Sequence, residues 1–190
     1  PRKIANLSRS TGPAFAILGG AEELDGETEL HAVGRCLDER YPDRLDQAFL
    51  REDVLEELAR VLKKDKPRPT LLVGRAEAGK TAVIHEYVRR TISDRGGQWA
   101  DARRIWLVSP QRLIAGMSFV GQWEQRLLAI LKHARKKRHI LYFDDLLGLF
   151  RAGISAQSNL TVGQVLMPFI EDREVSVIAE TTPKSFALLK

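Results

Sequence analysis

Apolar residues along this chain of 190 residues fall into two kinds of run. One kind is short and continuous: "TLLV" (70–73), "RIWLVS" (104–109), "HILYFD" (139–144) and "VSVIA" (175–179). A strand with one wet face alternates polar and apolar positions, so runs without alternation predict strands buried on both faces. The other kind recurs every three or four residues, as the buried stripe of a helix does. Leu45, Phe49, Val54, Leu55, Leu58 and Leu62 predict an amphipathic helix that starts near Arg51 and stops before Pro67 and Pro69, which cannot continue it. Ile84, Val88 and Ile92 mark a helix over 81–93. Trp123, Leu127, Leu131 and Ala134 mark another. Val162, Val165, Leu166 and Phe169 mark one more, which Pro168 is expected to kink or shorten. Alternating strands and helices predict an α/β sandwich, a mostly parallel sheet between helical layers. Residues 1–43 lack this rhythm: "GPAFAILGG" is a candidate strand between glycine turns, and "AEELDGETEL" is acidic and turn-prone. The chain therefore divides into an N-terminal extension, or the end of a preceding domain, over 1–43 and a core over 44–190.

Composition narrows this picture only a little. An apolar fraction of 44% allows an ordinary buried core, and no apolar run is long enough to span a membrane. The N-terminus "PRKIANLSRS" has no charged-then-apolar leader and no initiating Met, as in a fragment or processed chain. A single cysteine, Cys36, excludes an internal disulfide and fits a reducing cytoplasm. The net charge of +5 suits an anionic ligand such as a nucleotide but is too mild to argue for DNA. The densest basic run, "KHARKKRH" (132–139), reads as the closing turn of a helix, where cations favour the helix dipole.

The chemistry lies between the first continuous run and the helix after it. Gly74-Arg75-Ala76-Glu77-Ala78-Gly79-Lys80-Thr81 meets G-x-x-x-x-G-K-[ST] at every fixed position. Glycines admit backbone conformations that side chains block, so successive N–H groups can converge on phosphate. The helix that begins there adds its positive N-terminal dipole. Lys80 would reach the terminal phosphates, and the Thr81 hydroxyl would bind Mg²⁺. The required strand precedes the motif and the required helix follows it. A second acidic site is then expected, and "ILYFDD" supplies it. Asp144, at the strand end, would hold the Mg²⁺ shell, and Asp145 would orient or deprotonate the attacking water.

With these motifs in order, residues 43 to 190 resemble the AAA+ ATPases, in particular the first nucleotide-binding domain of Clp-type unfoldases and disaggregases. "GMSFVGQWEQRL" (116–127) is similar to the family's pore loop and the helix after it, G-x-x-[YF]-x-G-x-[FW]-E-x-R-L. The resemblance makes Phe119 the aromatic that grips a substrate polypeptide in the channel of a ring. "VIAETTPKSF" (177–186) is similar to the family's strand end V-I-G-A-T-T and makes Thr181 sensor 1. "AGISAQSNLTVGQVLMPFI" (152–170) falls where the family carries a second loop and a helix. Phe49 and Leu50, within Phe49-Leu50-Arg51-Glu52, fall where the family reads V-I-G-R beside the adenine, with Leu50 in place of the usual glycine.

The resemblance implies a three-layer αβα P-loop NTPase fold with sheet order 5-1-4-3-2, lacking the fifth strand here. It implies ATP and Mg²⁺ as cofactors, a polypeptide substrate and a homo-hexameric full-length protein. The arginine finger, sensor 2 and lid of the family lie beyond Lys190. The chain alone is thus expected to be a weak ATPase and a poor hexamer former, down to a monomer. Asp145 stands where the family has glutamate, one methylene longer, which favours an alternative: a nucleotide-gated scaffold with slow hydrolysis. A DNA-handling AAA+ loader is the other alternative; the basic run favours it and the pore-loop match opposes it.

Overall fold

The computed structural model describes residues 24–64, 68–96, 103–117, 121–156 and 158–189. In chain order its elements are α1 (Gly26–Val33), β1 (Gly34–Cys36), a 3₁₀ turn (Asp38–Arg40), α2 (Glu52–Leu62), β2 (Thr70–Val73), α3 (Lys80–Ser93), β3 (Ile105–Val108), α4 (Pro110–Ile114), α5 (Gln122–Lys137), β4 (Ile140–Phe143), α6 (Leu146–Leu149), α7 (Val162–Glu171), β5 (Ser176–Thr181) and α8 (Pro183–Ala187).

The strands form one sheet in the order β1-β3-β4-β5-β2. The pairs β3–β4, β4–β5 and β5–β2 are parallel, and only β1 is antiparallel, on β3. Reading inward from β2, the parallel strands follow the 1-4-3-2 order that the family resemblance implies. Alternation along a strand sends successive side chains to opposite faces of the sheet. Ile140, Tyr142 and Ile178 accordingly join Leu55, Leu58 and Leu62 of α2 and Val83, Ile84, Val88 and Ile92 of α3 in one core. Leu141, Phe143, Val177 and Ala179 join α5 and α7 in the other, through Leu127, Ile130, Leu131 and Leu166. All four positions of β4 are buried, as its unbroken apolar run requires. The fold is the expected three-layer αβα sandwich. Among the described residues no helix is long and apolar enough to cross a membrane.

Helix α1 and strand β1, which fall within the stretch 1–43 set apart on sequence, pack on this same body. Leu30 and Val33 lie in the α5 core, and Arg126 of α5 donates to Glu29 of α1 at 2.7 Å. Helix α3 is tied to α2 through Arg90, which pairs with both Glu86 and Glu52. Glu86 is itself buried, which would raise its pKa; the guanidiniums of Arg89 and Arg90 outweigh that and hold it below the usual carboxylate range. Helix α7 opens on a capping box between Thr161 and Gln164 and runs through Pro168 to Glu171. The proline neither stops it nor leaves a core position empty, because it is exposed and sits in the last turn.

Candidate nucleotide-binding site

Strand β2 delivers the chain to Gly74, whose N–H donates to the carbonyl of Thr181 at the end of β5. The loop then turns through Glu77 and Gly79, both with positive φ (60° and 78°). Gly79 is the N-cap of α3 and has open space where a Cβ would stand. That left-handed conformation is natural for glycine. Glu77, a side-chain-bearing residue, accepts it at a cost of roughly 1–2 kcal/mol. Lys80, the first residue of α3, folds back over the loop, and its ammonium donates to the carbonyls of Gly74 (3.2 Å) and Arg75 (2.9 Å). Arg51, just ahead of α2, reaches the Ala78 carbonyl from the other side. Residues 74–81 therefore form a closed turn around their own cation at the positive end of a helix of 14 residues.

The acids come from the two strands beyond β2. Asp144 and Asp145 follow β4 and are exposed at the same end of the parallel strands as the loop. Asp144 titrates above the usual carboxylate range, because of partial burial and, opposed by its own backbone, the neighbouring charge of Asp145. Asp145 is the N-cap of α6 with no side-chain capping bond, and its carboxylate lies over Gly148, where a Cβ would stand 2.6 Å from Oδ2. Thr181 ends β5, buried, with its hydroxyl toward the Thr182 carbonyl; the helix cap is Thr182, which accepts from the Ser185 N–H.

Between these groups stands a carboxylate that the sequence reading did not single out. Glu180, 4% exposed, accepts from the Thr81 hydroxyl at 3.3 Å and from the phenol of Tyr142. Its pKa is raised by burial, against the pull of those two hydrogen bonds and of Lys80. In sequence it is only a charged residue that follows an apolar strand run. β5 runs two residues further than expected, which brings Glu180 inside.

A cleft of about 800 Å³ opens beside the loop, lined by Arg51, Val54 and Leu58 of the α2 region, by β2, and by Ala78, Lys80 and Val83. This is the size of a small-ligand site. Phe49 and Leu50 stand at 76% and 94% exposure and do not line it. Leu50 has φ 56°, the left-handed region that explains a preference for glycine at this place. Leu50→Gly is therefore expected to stabilise the fold by about 0.5–1 kcal/mol. The urea midpoint checks this; an unchanged or lower midpoint would mean that the leucine makes contacts worth more than its backbone strain. Phe119, named as the pore-loop aromatic, lies outside the described residues.

Oxygen donors of this kind suit Mg²⁺, which takes one or two carboxylates and keeps waters and phosphate oxygens. Thr81 and Asp144 would hold it. Among the described residues no three His, Cys, Asp or Glu side chains converge as a self-sufficient metal cage.

No protein-family profile matches the chain. Individual relatives do. The chain is 29% identical over 161 residues to the chaperone protein ClpB of Mycoplasma genitalium, covering 83% of this chain and 22% of that protein. It is 27% identical over 179 residues to the probable ATP-dependent Clp protease ATP-binding subunit of Chlamydia pneumoniae, covering 94% of this chain and 21% of that protein. It thus spans less than a quarter of the length of these curated relatives. Among solved structures, the S. cerevisiae Hsp104–ADP complex superposes with a TM-score of 0.67 at 23% identity, over 84% of this chain and 27% of that one. The extended conformation of the S. cerevisiae Hsp104:casein complex gives 0.69 at 22% identity, over 85% and 28%. Over most of its length the chain is thus similar to part of the Clp-type proteins, and it shares the three-layer fold of the Hsp104 structures.

Proposed function

We propose that this chain is the ATP-binding module of a Clp-like ring motor that unfolds or remodels polypeptides in the cytoplasm. The observation that supports it most is the conjunction at one end of the sheet: a closed P-loop with Lys80 at its centre, and, two strands across, the acids that follow β4. In this reading the amides of Gly74 to Gly79 and the Lys80 ammonium hold the phosphates. Thr81 and Asp144 hold Mg²⁺, which when bound neutralises developing charge on the phosphates. Asp145 orients the attacking water, and Thr181 is a neutral polar group for the terminal phosphate. Arg51 and Val54 are better placed than Phe49 and Leu50 to line the base end of the cleft. The casein named in the Hsp104 complex supports a polypeptide as the handled substrate, and a hexameric full-length protein completes the proposal.

A specific residue favours a second reading, a nucleotide-gated scaffold. Asp145 is one methylene shorter than the glutamate of the family, so the water it must align sits about an ångström too far, and such misplacement can cost on the order of a hundredfold in rate. One calorimetric and kinetic experiment tests both. MgATP should bind with defined stoichiometry while turnover stays slow, and Asp145→Glu should raise turnover without tightening binding. Absence of MgATP binding would sink both readings; fast turnover by the parent chain would remove the scaffold.

A further inference from the structure

Glu180 is out of character with its strand. Val177, Ile178 and Ala179 before it are apolar and buried, yet this carboxylate is buried as deeply as they are. A buried carboxylate costs several kcal/mol unless its oxygens are partnered. Both are. The Tyr142 phenol donates to Oε1 and the Thr81 hydroxyl to Oε2. Register explains why. Tyr142 of β4 stands beside Ile178, and Leu72 of β2 stands beside Glu180. Two residues along a strand share a face, so Glu180 points, with Ile178 and Tyr142, toward α3 and meets Thr81 at its first turn. In the strand-end pattern V-I-G-A-T-T this place holds alanine, which can accept nothing.

We infer that Glu180 is a positioning residue for the metal ligand Thr81, accepting the hydroxyl's hydrogen bond so that the hydroxyl's lone pairs face the phosphates and the cation. The inference rests on the ATP-binding reading. A threonine hydroxyl has one donor and two acceptor sites. Left alone, it rotates freely among the acceptors that the loop offers. Once the proton is directed to Glu180, the acceptor directions are fixed. Tyr142 holds the second carboxylate oxygen and keeps Glu180 from turning away. The three residues form a chain, Tyr142 to Glu180 to Thr81, that orients a magnesium ligand before the cation arrives. Partners that orient metal ligands are typically worth ten- to a hundredfold in metal affinity.

The test is a Mg²⁺ titration of the full chain with a fluorescent ATP analogue, begun in EDTA. Binding without metal reports the loop amides and Lys80, while the rise on adding Mg²⁺ reports Thr81. Glu180→Ala should move the Mg²⁺ midpoint upward by about ten- to a hundredfold and lower metal-free binding far less. Glu180→Gln, which keeps an acceptor oxygen at the same reach, should recover most of that loss. Tyr142→Phe removes a single oxygen and should shift the midpoint in the same direction as the alanine variant. If Glu180→Ala and Tyr142→Phe leave the Mg²⁺ midpoint at the parent value, or lower binding equally with and without metal, the positioning role is wrong and the ATP-binding reading stands. If the parent chain binds no analogue at all, the ATP-binding reading fails and this inference falls with it.

Discussion

Replacing Lys80 by alanine will lower the affinity for MgATP by at least about a hundredfold. In the free loop the ammonium donates to two carbonyls, those of Gly74 and Arg75. Phosphate offers the same ammonium charged acceptors instead of neutral ones, and hydrogen bonds to charged partners are worth about 1.5–3 kcal/mol each. Two such bonds come to roughly 3–6 kcal/mol, and each 1.4 kcal/mol is tenfold in affinity. The fold should tolerate the change, because the side chain is partly exposed and belongs to neither core. Calorimetry on the variant, with circular dichroism to show that it folds, checks this. Unchanged affinity would mean that residues 74–81 are not the phosphate cradle.

Acid will destabilise the protein well above the pH at which carboxylates protonate. The His139 ring is buried against Trp106 and His133. Its Nδ1 accepts the Arg104 N–H, which requires the neutral ring. Burial, with the nearby His133, Arg104, Lys137 and His31, lowers its pKa from 6.5 to about 4. The folded state therefore releases a proton that the unfolded chain keeps. The associated stability is complete above about 6.5 and is lost as pH falls toward 4, some 3 kcal/mol in all. His85 and His133, both depressed chiefly by burial, act in the same direction. Urea unfolding at several pH values between 7 and 4 should show this decline, and His139→Asn, which keeps an acceptor but cannot ionise, should flatten it. An equally steep decline in the variant would assign the effect to other groups.

The sheet was legible because its strands advertise burial on both faces: β2 matches "TLLV", and β3 and β4 lie inside their expected runs. The loop was legible because its chemistry is local, eight consecutive residues with a strand before and a helix after. What escaped depends on partners distant in sequence. β1 is three residues, "GRC", too short to show any period, and it exists by pairing with β3. Arg126 finds its carboxylate partner in Glu29, 97 positions away. Glu180 became a buried group only through Tyr142 and Thr81, which lie 38 and 99 positions from it. The basic run at 132–139, by contrast, needed no distant partner to be read as the end of α5.

The placement of β5 between β2 and β4 has a mechanical consequence. The loop 74–81 and the paired aspartates are separated by two steps across the ladder, each about 4.8 Å, so their offset near 10 Å is a gauge cut into the backbone. No rotamer change can shorten it. In the proposed site, a longer or shorter reach must then come from side-chain length at fixed mounting points, which is the weight the proposal places on the missing methylene at position 145.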